Sequence, residues 1–147
     1  MKPLNVREIS LLVNQINEKI KENHISNITI VNSTDFIFTF SYYRKEKLYL
    51  SLNHNAPVIG LINVKDNVPT ILGKYNEIFR NEIKDTLLNV IETPYNDRII
   101  RFKLTKTDEF YAKHDKYLVF EMIPHHPNLI ILNENEEIIF ATHYTDL

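Results

Sequence analysis

A chain of 147 residues, 44% of them hydrophobic, has the length of one domain and can bury a continuous core without covalent staples. It contains no cysteine, which excludes disulfides, thiolate zinc sites and cysteine nucleophiles. A formal charge of −2 at pH 7 argues against wrapping nucleic acid by general phosphate attraction, so any RNA contact has to be local.

The N-terminal stretch mixes charged and apolar residues and reads as neither a signal peptide nor a membrane span, so the expected location is the cytoplasm. Asn5 followed by Glu8 fits a capping box, and Ile9, Leu12, Val13, Ile16 and Ile20 recur at helical spacing, predicting a helix over Val6 to Asn23. A short β run, Ile28 to Val31, leads through turn chemistry at Asn32 to Asp35 into an alternating strand with Phe36, Phe38, Phe40 and Tyr42 on one face. That aromatic row could stack bases, but no Lys, Arg or Gly flanks it in the pattern of an RNA-binding sheet, so a core face is the better reading. Lys47 to Leu52 and Val58 to Val64 are two more strands of an antiparallel meander.

A second helix is expected from near Lys74, with Ile78, Phe79 and Ile83 inward. Leu87 to Ile91 could either extend it or begin a strand. Strands are then expected over Asn96 to Leu104, Tyr117 to Ile123, Asn128 to Leu132 and Glu137 to Thr142, with Asn133 to Glu136 closing the last hairpin and His114-Asp115 at a solvated hairpin tip. No repeat or linker divides the chain, so residues 1–147 read as a single domain. Charge is uneven. Arg98, Arg101, Lys103, Lys106, Lys113 and Lys116 form a basic strip, and the residues after Phe120 carry acids and no base.

Strand alternation lines Arg98 up with the apolar Ile100, Phe102 and Leu104, and Asp97 with Ile99, Arg101 and Lys103. An arginine at the mouth of an apolar face has to pair with an acid, Asp97 or Glu121, or project toward a partner. His125-His126 beside Glu121 makes a poor metal site, since adjacent side chains diverge and no third spaced ligand is evident. Ser51 lacks a nucleophile elbow, and Gly60 and Gly73 are the only glycines, so neither an oxyanion loop nor a phosphate loop is available.

Tyr95-Asn96-Asp97-Arg98-Ile99-Ile100-Arg101-Phe102, with the later run from Lys116 through Glu121-Met122-Ile123-Pro124-His125-His126-Pro127-Asn128 to Leu132, resembles the N-terminal domain of the NFACT proteins, also called fibronectin-binding protein A-like. The resemblance implies an α+β fold, a two-layer antiparallel β-sandwich with two flanking helices, similar to the N-terminal domain of formamidopyrimidine-DNA glycosylases. Those glycosylases use an N-terminal proline amine, whereas this chain begins Met1-Lys2-Pro3, so an enzyme is not expected, nor a cofactor or a metal. Family members commonly carry a glycine pair where this chain has Asp85-Thr86, which places the end of the second helix near Lys84 and a strand after it.

By the same resemblance Asp97 and Arg98 contact tRNA, and Glu121, Met122, Ile123, His125, His126 and Asn128 face it, with Arg101 and Lys103 as further contacts on the basic strip. Pro124, His125 and Pro127 stand where the family usually has Gly, Arg and Ser, implying a stiffer loop with weaker phosphate binding. Ser51, Asn53 and His54 loosely match a family stretch after a strand. The implied whole is the N-terminal part of a longer protein. That protein acts in ribosome-associated quality control, holding tRNA on a large ribosomal subunit with a stalled nascent chain during C-terminal tailing. The alternative is a surface adhesin domain binding fibronectin or fibrinogen.

Overall fold

The computed structural model describes residues 2–63 and 75–143. Helix α1 (Val6–Ile20) begins at the expected capping box. The Asn5 side-chain oxygen accepts from the Glu8 amide at 2.8 Å, and the Glu8 carboxylate accepts from the Asn5 amide at 3.0 Å. Ile9, Val13, Ile16 and Ile20 are buried. The helix stops short of Asn23 because Glu22 turns left-handed (φ 63°) and the Asn23 side-chain amide bonds the carbonyls of Ile20 and Lys21, each at 3.2 Å. The chain therefore enters β1 (Asn23–Val31) well before Ile28, where alternation alone had started the strand.

A three-residue connection, Asn32 to Thr34, with Asn32 and Ser33 both left-handed (φ 55° and 58°), leads into β2 (Asp35–Phe40). Phe36, Phe38 and Phe40 are core residues, as expected. Tyr42 is not: the strand ends at Phe40 and Tyr42 is 84% exposed. The meander continues through β3 (Lys47–Ser51) and β4 (Val58–Ile62). The expected strand end at Val64 and helix start at Lys74 lie outside the described residues.

Helix α2 (Asn76–Glu82) buries Phe79 and is followed by a left-handed Asp85 (φ 67°) at the position where the family resemblance put a glycine. Thr86, fully buried, donates its hydroxyl to the Ile83 carbonyl at 2.7 Å, and the chain passes into β5 (Leu87–Glu92). Strands β6 (Ile99–Thr107), β7 (Lys113–Glu121), β8 (Asn128–Leu132) and β9 (Ile138–Ala141) complete the described elements. β6 starts later than Asn96, which is left-handed in a turn (φ 48°). His114 and Asp115 belong to β7, opposite Lys106 and Thr105, so the hairpin tip is Asp108 to Ala112 and not His114-Asp115.

The nine strands form one antiparallel ribbon in the order β4-β3-β2-β1-β5-β6-β7-β8-β9. β1 serves both halves. Asn23 and His24 pair with Leu88 and Leu87 of β5, an irregularity follows between Ile25 and Asn27, and the remainder pairs with β2. The two halves fold over a shared core in which Phe36, Phe38, Leu50, Phe102, Phe120 and Ile131 are all buried. α2 closes one flank, its Phe79 ring 5.0 Å from Phe36 of β2 and 5.8 Å from Phe140 of β9. α1 covers β5, where the Asn17 side chain accepts from the Ile91 amide at 2.8 Å.

Candidate nucleic-acid interface

One end of the sandwich gathers most of the residues singled out in the sequence. Strand pairing sets Ile99 opposite Glu121, and the Met122 amide donates to the Arg98 carbonyl at 2.7 Å, so the Asp97-Arg98 turn sits beside the β7–β8 loop. The Asp97 carboxylate accepts from the Arg98 amide at 2.6 Å and shapes the turn, leaving the residue exposed. Arg98 pairs with neither acid considered for it. Its Nε donates to the Leu4 carbonyl at 3.2 Å, tying the segment ahead of α1 to the sheet, and its guanidinium makes no ion pair among the described residues.

The second cluster divides. Met122 is 2% exposed and faces the core. Asn128 is also buried and fully engaged: its amide donates to the His143 carbonyl at 2.8 Å, and its oxygen accepts from the Thr142 hydroxyl at 2.9 Å and the His143 amide at 3.0 Å. It latches the end of β9 to β8. Glu121 stands on the outer face of β7, Ile123 is partly exposed, and His125 and His126 are exposed. The loop's left-handed residue is His125 (φ 69°), one position after the proline that replaces the family glycine.

The β7–β8 loop meets the β3–β4 loop through a reciprocal contact. The His125 amide donates to the His54 carbonyl at 2.7 Å, and His54 Nδ1 lies 3.3 Å from the His125 carbonyl. This brings in His54, which the sequence reading placed beside Ser51 and Asn53 as a surface stretch. Ser51 itself is buried and donates to Asp35 at 2.9 Å. Asn53 caps its own turn by accepting from the Asn55 amide at 2.9 Å. Behind the contact opens a cavity of about 390 Å³ lined by His54, His125, His126 and His143 with Ser33 and Tyr75 among others. Ser33, Tyr75 and His143 carried no local signal in the sequence; only the folding of one layer over the other assembles them. Among the described residues no group of three histidines or acids is placed to hold a metal ion.

Most of the basic strip is tied down rather than displayed. Arg101 binds one Glu92 oxygen through Nε (2.9 Å) and Nη2 (2.6 Å), reaches Glu136 at 3.3 Å and covers the Tyr117 ring at 5.4 Å. The Glu92 hydrogen bond raises the Arg101 pKa, holding it charged. Lys103 faces Asp115 at 3.9 Å, Lys116 pairs with Glu82, and Lys106 bonds the Asn81 carbonyl. Among the described residues Arg98, Lys106 and Lys113 make no ion pair, and of these Arg98 stands at the end described above.

Three comparisons place the chain among known proteins. The family model for NFACT N-terminal and middle domains matches residues 8–146. Solved structures with the same fold include the N-terminal domain of the fibronectin-binding protein PavA from Streptococcus pneumoniae, at 16% identity and a TM-score of 0.86 over 98% of this chain and 57% of that one. The N-terminal part of a fibronectin/fibrinogen-binding protein from Streptococcus suis matches at 18% identity and a TM-score of 0.88, over 98% of this chain and 55% of that one. A fibrinogen-binding protein from Staphylococcus aureus matches at 20% and 0.80, over 96% and 51%. The chain thus spans about half the length of these solved chains. No curated protein matches it in sequence. No described helix is long and apolar enough to cross a membrane. A match that runs from the first turn of α1 to beyond β9 identifies the chain as a member of the NFACT N-terminal domain family.

Proposed function

We propose that this chain is the tRNA- and ribosome-facing N-terminal domain of a longer, cytoplasmic quality control factor. Bound to a large ribosomal subunit with a stalled nascent chain, that factor would hold tRNA in place while the chain acquires its C-terminal tail. The observation that supports this most is the unpaired Arg98 guanidinium, anchored by Nε to the Leu4 carbonyl beside an exposed Asp97 at a loop-rich sheet end. A fixed cation with its terminal nitrogens unengaged suits one phosphate or base edge, where a near-neutral surface gives little general attraction. The domain would act by positioning, with no bond-making residue of its own. Glu121, Ile123, His125 and His126 join Asp97 and Arg98 as contacts. Met122 and Asn128 contribute through the loop they hold.

The test is a pull-down of the full-length protein from its own cytoplasm, comparing native protein with the Asp97→Ala, Arg98→Ala double variant. Large subunits with tRNA in the first and no tRNA in the second is the expected result. Absence of ribosomal material from both would end this reading.

A second reading follows the names of the similar structures: a module that binds fibronectin or fibrinogen. The outer face of β6 to β9 favours it, with Ile99, Val119, Ile130 and Leu132 lining a shallow groove and Ile138 60% exposed. Salt separates the two. RNA retention weakens as ionic strength rises, in proportion to the phosphates neutralised, whereas adhesion through an apolar sheet face does not.

A further inference from the structure

We propose that the histidine-lined cleft, where the β1–β2 turn, the β3–β4 loop, the β7–β8 loop and the end of β9 meet, binds a single unpaired nucleotide. Four of the chain's six histidines converge there, at a cavity of about 390 Å³, a size that ligand sites commonly have. Among the described residues its lining holds no carboxylate, lysine or arginine. Those residues give a cation no counter-charge and a polyanion no permanent charge to collect it. The donors suit one phosphate or ribose. His125, His126 and His143 can each offer an N–H in either charge state, whereas His54 commits its Nδ1–H to the His125 carbonyl, and the Ser33 hydroxyl makes no hydrogen bond among the described residues. The Thr34 and Thr142 hydroxyls already donate to Asp35 and Asn128, so they are wall rather than ligand.

The remaining lining is flat or apolar: the Tyr75 ring, Pro127, Leu52 and the imidazole faces. Planar groups beside a few polar donors match a base with its sugar phosphate, since bases stack on aromatic and imidazole faces while phosphate takes the N–H groups. The site is shaped before any ligand arrives. The paired His54 and His125 contacts fix one wall, the Asn128 latch fixes Thr142 and His143, and the Tyr75 ring is held between Phe36 and Phe140 at 6.4 and 5.4 Å. A left-handed non-glycine residue, His125, sits in this wall, where the neighbouring loops over-determine the strain. The inference rests on the RNA reading above for the source of the nucleotide, though not for the chemistry of the cleft.

The experiment follows the imidazole proton resonances of the chain while adenosine 5′-monophosphate, adenosine, inorganic phosphate and a single-stranded RNA hexamer are each titrated in. The monophosphate should move the His54, His125, His126 and His143 rings saturably, with adenosine and phosphate each at least about tenfold weaker. His126→Ala, an exposed position, should keep the folded spectrum and weaken the monophosphate about tenfold; His54→Ala serves as a second variant. Tighter binding of the hexamer than of the monophosphate assigns the cleft to RNA, and the reverse assigns it to a free nucleotide; either supports the proposal. Unmoved rings, equal binding of phosphate alone, or an indifferent His126→Ala overturns it. Moved rings together with no ribosomal material in the pull-down would sink the quality control reading alone. Unmoved rings with tRNA lost from the Asp97, Arg98 variant would sink the cleft alone.

Discussion

Arg98 and Asn128 carry opposite lessons about single residues. Arg98 has one backbone bond at stake, worth about 1 kcal/mol, so Arg98→Ala should lower the melting temperature by only about 2–4 °C while removing tRNA from the full-length protein. A much larger drop would mark it as structural. Asn128→Ala removes the partner of the Thr142 hydroxyl and of both backbone groups of His143 at a part-buried site, a cost of about 1–3 kcal/mol that urea unfolding would register. A loss under about 1 kcal/mol would refute the latch. Asp85 gives a third case. Held at φ 67° where the family resemblance expects glycine, it should gain about 1 kcal/mol of stability on replacement by Gly. The place of Asp97 and Arg98 at the head of β6 was legible because an Asp-Arg pair before an apolar strand is a local pattern. Asn128 was not: sequence shows a polar residue after a loop but hides the bonds that satisfy it.

Among the elements, the strands were legible where apolar residues recur at strand spacing: β8 was expected and found over Asn128–Leu132, whereas both ends of β6 were misplaced. The junction of α1 and β1 was misjudged because it depends on one left-handed residue and one capping amide, neither of which leaves a periodic trace. The β6–β7 hairpin shows the same limit. Its strands run on to Thr107 and from Lys113, so His114 faces back across the tip to Asp108 at 2.8 Å. The hydrogen bond from His114 is the main reason the Asp108 pKa is lowered, and the same bond raises that of His114. The signs set a window. The depressed Asp108 contributes above its unfolded pKa of about 3.8 and is lost as pH falls through its folded value. The raised His114 contributes fully below about 6.5 and is lost as pH rises through its folded value. Amide protection at Phe110 and Ala112, both bonded to Asp108, should therefore be greatest between those limits, and His114→Ala should abolish the alkaline fall while keeping the acid one. Protection that keeps rising past neutrality would contradict the pair.

For the molecule as a whole, the α+β composition, the antiparallel meander and the two helices could be read in advance because each follows from local pattern. The closing of one half over the other was expected only through the family resemblance and follows from no local pattern, since it needs β1 to change partners and two distant loops to meet at His54 and His125. The cleft of histidines is a product of that closure. Because β1 is hydrogen-bonded into both halves, neither layer should melt alone, and urea transitions followed by tyrosine fluorescence and by far-ultraviolet dichroism should coincide. Separated midpoints would mean that the halves are independent.

The tied-down part of the basic strip bears on time as much as on affinity. Every base of that strip tied to an acid or a carbonyl on its own surface is one fewer hold on a passing phosphate. Encounters with the wrong RNA then end quickly, because non-specific residence grows with the number of phosphates neutralised. A domain proposed to work amid a great excess of ribosomal RNA would spend little of its life on incorrect sites, and its search would be limited by arrival rather than by escape.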